Sequence, residues 1–410
     1  MKWLKLIYFH LSADISTGQQ LFRSVEIPVS RFNICFSVLH RSIVCLLILP
    51  LSVFSQKITR SSVLQSMELA NSYFMQKWPD PFKAIVTNKA RPSNIWTRAV
   101  YYEGLMELYR LNNNKQLLDY ALLWGARHDW NLRGGYTTVN ADDQACGQTY
   151  IDLFFLQKDS AKITNIKQSI DHTIQSNRID YWTWIDAIQM AMPVFAKLGK
   201  LYNDDTLYYN YMYRMYRHTR DVEAGGLFNA KDGIWWRDKD FVPPYKEPNG
   251  QYCYWSRGNG WVVAALVRVL ETIPKNEMHR KEYERDLIQM LKALKPLQRS
   301  DGFWNVSLLD STHFGGKETS GTALFVYGYA SAVNNGLLNA KEYLPVIRKA
   351  WNGMVNAALH SDGFLGYVQG TGKEPKDGQP VNYNNVPDFE DYGLGCFLLA
   401  GSEVYQLKKL

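Results

Sequence analysis

From Ser62 to Leu407 the chain reads as helix after helix, and the helices are of two kinds in turn. One kind carries a single apolar stripe. In "DDTLYYNYMYRMYRHTR" the stripe is Tyr208, Tyr211, Met212 and Met215. In "KEYERDLIQMLKALKPL" it is Leu287, Met290, Leu291 and Leu294, and in "KEYLPVIRKAWNGMVNAAL" it is Leu344, Ile347, Trp351 and Met354. The other kind is nearly free of charge all round: "WIDAIQMAMPVFAKLG", "GWVVAALVRVL", "SGTALFVYGYASAVNNG" and "DYGLGCFLLAGSEVYQL". A striped helix sits at a surface, whereas one that is apolar on every side must be surrounded. Striped segments begin near Ser62, Asn114, Asp159, Asp204, Arg280 and Ala340; enclosed ones begin near Trp96, Gln144, Trp184, Gly260, Ser320 and Asp391. Six outer and six inner helices in alternation predict an all-α fold, a six-hairpin (α/α) barrel with one ring of helices inside another. A multi-helix bundle or superhelix is the alternative. The inner helices recur at irregular intervals of roughly 40 to 76 residues, which sets the chain apart from short-period solenoids. Two stretches between helices, "GGLFNAKDGIWWRD" and "DGFWNVSLLD", have the turn residues of small hairpins decorating one rim.

The N-terminal part reads differently. "SIVCLLILPLSVFSQ" (Ser42–Gln56) has the apolar run and small-residue end of a secretory leader, and it is short for a membrane span. Residues 1–55 are therefore expected to be leader, with 56–410 one catalytic domain, exported to a periplasmic or extracellular space and without a stable membrane partner after leader removal. Without those 55 residues the chain keeps 41 basic against 37 acidic side chains, a net of +4. That bias suits an acidic ligand and falls far short of a nucleic-acid-binding surface. Cys146, Cys253 and Cys396 remain, widely spaced and odd in number, giving neither a disulfide framework nor a zinc pattern. No metal-protease, P-loop or dinucleotide motif occurs, so no metal and no cofactor is expected.

The unusual polar and aromatic clusters fall at the starts of the enclosed helices: "WTR" with Trp96, "ADDQ" with Asp142 and Asp143, "YWTWID" with Trp184 and Asp186, "WSRGNGW" with Trp255, Arg257 and Trp261, "KETSG" with Glu318, and "FEDYG". In an α/α barrel these starts share one mouth, where free N–H groups and helix dipoles favour an anion. Capping accounts for acids and Ser/Thr at any one helix start. It does not account for Trp, Arg and Asp recurring together. In "WSRGNGW", Gly258 and Gly260 permit a tight turn and Asn259 suits an N-cap, which leaves Trp255, Arg257 and Trp261 free for a ligand. An arginine held between indoles suits a two-pronged grip on a carboxylate; a structural ion pair is the bland reading. Asp186 has Trp182 and Met190 four residues to either side. If all three lie on one helix, the carboxyl is pressed against apolar groups and its pKa rises, as a proton donor near neutrality requires. An exposed acid complementing the helix dipole is the alternative.

"ADDQACGQTYIDLF", "YWTWIDAIQMAMPVFAKLG", "WSRGNGWVVAAL", "DGFWNVSLLD" and "ETSGTALFVYGYASAVNNGLL", in this order, resemble the unsaturated uronyl hydrolases of glycoside hydrolase families 88 and 105, nearest to the unsaturated rhamnogalacturonyl hydrolases. The likeness runs from about Ser62 to the C-terminus, and "RGNGW" together with the Trp-x-Asp helix is its specific part. It implies a six-hairpin (α/α) barrel and an acidic oligosaccharide substrate, left by a polysaccharide lyase with a 4,5-unsaturated uronic acid at its non-reducing end. It further implies that Asp186 protonates C4 while water adds at C5, after which the hemiketal opens and releases the remaining sugars. The second aspartate falls within "ADDQ", with Asp143 favoured over Asp142. Trp184, Arg257 and Trp261 match subsite residues. Arg237 stands where some members carry histidine, which leaves the sugar after the uronate open.

Other readings are a sugar 2-epimerase, an inverting glycosidase on saturated uronates, and an inactive carbohydrate-binding barrel. The eight histidines all lie outside the six clusters, which speaks against an epimerase using histidine as acid and base. An inverting glycosidase needs two carboxylates set apart around the bond, and an inactive barrel has no need of Asp186.

Overall fold

The computed structural model describes residues 58–203 and 205–409. The expected leader, residues 1–55, lies outside the described residues, as does Asp204, where the fourth outer helix was expected to begin. The outer helices are α1 (Arg60–Lys77), α3 (Lys115–Arg127), α6 (Ala161–Gln175), α8 (Asn210–Asp221), α10 (Arg280–Leu294) and α12 (Ala340–Ala357). The inner ones are α2 (Trp96–Asn112), α4 (Ala141–Gln144) with α5 (Gly147–Gln157), α7 (Asp186–Tyr202), α9 (Ser256–Thr272), α11 (Thr319–Asn334) and α13 (Asp391–Gln406). The alternation is the expected one. The single departure is a break at Ala145–Cys146 that splits the second inner helix into α4 and α5.

Burial separates the two rings as their side chains dictate. α7 is buried without interruption from Asp186 to Gly199, and α11 from Thr319 to Ala332. α10 buries only the stripe of Tyr283, Leu287, Met290, Leu291 and Leu294, with Arg280 and Asp286. Each inner helix packs on its neighbours in chain order, and α13 returns to pack along α2, which closes the ring. At that seam the two backbones touch. A Cβ on Gly104 would lie 2.5 Å from the Gly395 carbonyl oxygen, and one on Gly395 would lie 2.2 Å from that of Val100. No side chain fits there. Arg98 and Asp391, both buried, pair across the same seam at 3.0 Å.

A helix enclosed on every side must satisfy its polar groups inside the protein. Pro193, within α7, has no N–H to offer the Gln189 carbonyl one turn earlier. Gln148 of α5 supplies the donor instead, at 2.8 Å. The Gln189 side chain donates to Glu103 of α2 at 2.8 Å, and Arg268 of α9 donates to Gln148 at 2.7 Å. Four inner helices are thus joined by one ladder of side chains. Burial raises the Glu103 carboxyl to about 7, against the pull of Arg268 and Lys197.

Two short hairpins lie on the connections: β1 (Ile85–Val86) with β2 (Ala90–Arg91), and β3 (Phe228–Asn229) with β4 (Ile234–Trp235), each antiparallel. The second is the one expected in "GGLFNAKDGIWWRD". "DGFWNVSLLD" instead makes isolated bridges, Trp304 with Glu318 and Ser307 with Trp255. Among the described residues no helix is long and apolar enough to cross a membrane.

Replacing Gly395 by alanine forces α2 and α13 apart and is expected to cost about 1–3 kcal/mol of stability. An unchanged denaturation midpoint would show that the seam yields freely. Because Glu103 holds its proton more tightly folded than unfolded, its contribution to stability is full at low pH and is lost as pH rises from 4.5 towards about 7. Denaturant titrations at both ends of that window should show a smaller pH dependence in Glu103→Gln than in the wild type. Equal slopes would remove Glu103 from the balance.

Candidate active site

The starts of the inner helices meet at one end of the barrel. Trp96 of α2 stands edge-on to Trp261 of α9 with ring centroids 6.2 Å apart, and 5.4 Å from Tyr392 of α13. Trp96 and Trp184 are partly exposed, whereas Trp261 is wholly buried.

Asp186 is the first residue of α7 and is 8% exposed. The helix does not extend back to Trp182, so the neighbour expected four residues earlier is not on its face; residues 181–183 are irregular chain. What lies against Asp186 is charged. The chain leaving β4 runs beside residues 184–185: Trp184 bridges to Asp238, and the Ile185 N–H donates to the Arg237 carbonyl at 3.0 Å. This pairing carries the Arg237 side chain to the start of α7, where Nε donates to Asp186 Oδ2 at 3.1 Å and a terminal nitrogen donates to Asp238 at 2.6 Å.

The hairpin is itself pinned by Asn259. Both groups of its buried amide bond the main chain of Trp235, the oxygen accepting at 2.8 Å and the nitrogen donating at 3.0 Å. Asn259 is therefore not the cap of α9, which begins three residues earlier. Gly258 and Gly260 lie within that helix and give room to Trp255 and Leu324 rather than forming a turn.

α4 begins after Asn140, whose side chain accepts from the Asp142 N–H at 2.9 Å. It turns its two aspartates to different tasks. Asp143 accepts from Arg133 at 2.5 Å and from Thr138 at 3.0 Å, which engages both oxygens. Asp142 is on the same short helix, which packs on α7. Burial, and then the Asp186 charge, raise the Asp142 carboxyl to about 6. Within "ADDQ" the Asp186 charge thus reaches Asp142, while both oxygens of Asp143 are held by Arg133 and Thr138.

Three other expectations change. Arg257 is 1% exposed. Its terminal nitrogens donate to the main-chain carbonyls of Gln369 at 3.0 Å and Gly370 at 2.8 Å, and it lies over the rings of Trp255 and Tyr392. It anchors the long rim connection before α13 and presents no free fork to a ligand. Trp255 is equally buried and donates to Gln369. Glu318 is fully buried as the N-cap of α11, accepting from Ser320 and Gly321.

Arg133, Thr138 and Asp238 carry site geometry that the sequence reading passed over. The signal for the first two was the glycine after Arg133, since a Cβ on Gly134 would lie 2.3 Å from an Asp143 oxygen. Among the described residues, one group of His and carboxylate side chains could hold a metal: Glu247, Asp310 and His313. These donors are already spent on joining rim loops. Glu247 pairs with His313 and accepts from Ser307, while Asp310 accepts from Asn249 and Thr312.

The site therefore gathers Asp142 and Asp186 with the guanidiniums of Arg237 and Arg133, beside the partly exposed Trp96 and Trp184. Comparison with known proteins gives the family. The unsaturated 3S-rhamnoglycuronyl hydrolase of Formosa agariphila is 30% identical over 335 residues, covering 77% of this chain and 85% of that protein. A protein of the same name from an Alteromonas species is 29% identical over 338 residues, covering 77% and 78%. The solved glycosyl hydrolase family 88 structure from Bacteroides vulgatus superposes with a TM-score of 0.76 at 33% identity, covering 85% of this chain and 99% of that one. A family model matches residues 66–408, and the chain belongs to Glycosyl Hydrolase Family 88.

Proposed function

We propose that this protein is an unsaturated uronyl hydrolase. It removes a 4,5-unsaturated uronic acid from the non-reducing end of lyase-generated oligosaccharides, with rhamnose as the following sugar. The observation that carries the reading is the Asp142–Asp186 pair at the mouth with Arg237 beside it. The names of the Formosa and Alteromonas relatives support the rhamnose-bearing substrate.

The reaction is hydration of a vinyl ether. Asp186 gives a proton to C4, and positive charge develops at C5 and the ring oxygen, stabilised by the carboxylate pair. Water adds at C5 and returns a proton to the pair. The hemiketal then opens, breaking the bond from C5 to the ring oxygen, and the hemiacetal left at C1 collapses to an aldehyde and frees the remaining sugar. One acid and one assisting carboxylate suffice, because the double bond supplies the reactive centre. Asp142 is the assisting group, and Asp143 with Arg133 holds α4 in place. Trp96 and Trp184 offer their ring faces to the sugar. Residues 1–55 act as an export leader in this reading, so exported protein sequenced from its N-terminus should begin near Gln56; a start well before Ser42 would contradict that.

The ultraviolet absorbance of the double bond should fade with wild-type protein. In Asp186→Asn and in Asp142→Asn the loss should slow by at least roughly 10²-fold, the scale of a positioned acid–base group. A variant of either residue with an undiminished rate would remove that residue from the chemistry.

A further inference from the structure

The charges at the mouth do not balance for an anionic ligand. Four carboxylates, Asp142, Asp143, Asp186 and Asp238, meet two guanidiniums, Arg133 and Arg237. Arg133 is paired with Asp143, and its charge also reaches Asp142. Arg237 serves the rest: it donates to Asp186 and to Asp238, and its charge reaches Asp142. Neighbouring inner helices bring no spare charge. Arg98 is paired with Asp391, and Arg257 is spent on the Gln369 and Gly370 carbonyls. Further out on the rim, Lys373 is paired with Asp240 at 2.7 Å. A uronate carboxylate arriving at the pair therefore has Arg237 to take. Taking it leaves the buried Asp186 without its ion-pair partner and still within reach of the Asp142 charge. A buried carboxylate that loses its counter-charge favours its protonated form.

We propose that substrate binding itself loads the acid: the uronate carboxylate captures Arg237 from Asp186, and one proton is drawn from solvent onto the Asp142–Asp186 pair. This inference rests on the uronyl-hydrolase reading above. The proton balance closes. The proton taken up on binding goes to C4, the water that adds at C5 returns one to the pair, and product release sends it back to solvent as Arg237 turns again to Asp186. Asp238 keeps hold of the guanidinium throughout, so that Arg237 moves between partners without leaving the mouth.

The test is the pH dependence of kcat and KM measured separately, with an unsaturated uronyl disaccharide and with its methyl ester, which has no charge. The free enzyme holds the proton of Asp142 below about pH 6 and loses it above. A complex formed with proton uptake keeps that proton to higher pH. Between about pH 6 and about pH 8 the KM for the acid should rise tenfold per pH unit while kcat stays level. With the ester, Arg237 remains on Asp186, so KM should stay level and kcat should fall instead. Turnover of the acid with a level KM and a falling kcat would overturn the proton uptake and leave the assigned reaction standing. No loss of the double bond from either compound at any pH would overturn the reaction itself, and the uptake with it.

Discussion

The mouth depends on the contact of two backbones where the first and last inner helices meet. α2 and α13 come together through Gly104 and Gly395, at a separation that leaves no space for a Cβ. Only this approach lets six helices close into a ring around a core of side chains. The Arg98–Asp391 pair lies across the same seam. A buried ion pair gains little net stability against its desolvation, so its effect falls on register: it sets how far α13 can slide along α2. That register places the buried Tyr392 beside Trp96, and so fixes the aromatic floor of the mouth.

The two ends of the barrel solve opposite electrostatic problems. At the starts of the inner helices, exposed N–H groups favour negative charge, and the protein places Asp142, Asp186 and Asp391 there. Towards the other end, where carbonyl groups point outward, Arg110, Lys197, Lys200 and Arg268 gather around a cavity of about 190 Å³ with Glu107, Asp152 and Glu271 among them. The ladder from Glu103 to Arg268 runs between these two worlds and joins the polar groups in the middle of the barrel.

How much of this was legible in the sequence follows from what each feature depends on. The barrel was legible because enclosure leaves a mark on every residue of a helix: α7 and α11 could not be half-exposed with the side chains they carry. The position of Asp186 was legible for the same reason, a lone acid where acids are costly. Roles that depend on which way a side chain turns were not. Asp142 and Asp143 are adjacent and chemically alike, and only the direction of α4 decides which of them meets α7. Arg257 and Glu318 have the chemistry of ligand-binding groups and spend it on main chain, Arg257 on the connection before α13 and Glu318 on the first N–H groups of its own helix. Asn259 carried a familiar capping signature, yet its partner is a hairpin twenty-four residues earlier in the chain, which no local pattern could reveal.

A pit assembled from helix starts scattered between Trp96 and Tyr392 has a consequence for how the protein comes into being. During synthesis the ring stays open until α13 emerges, and until then the enclosed helices show water the apolar sides that mark them as enclosed. Asp186 and Arg237 can already be neighbours on the nascent chain, since the hairpin that joins them is complete long before. The floor beneath them cannot. Catalytic competence is thus gained in one late step, when the last inner helix slides into its seam, and any hold-up there exposes the molecule to aggregation with its chemistry half built.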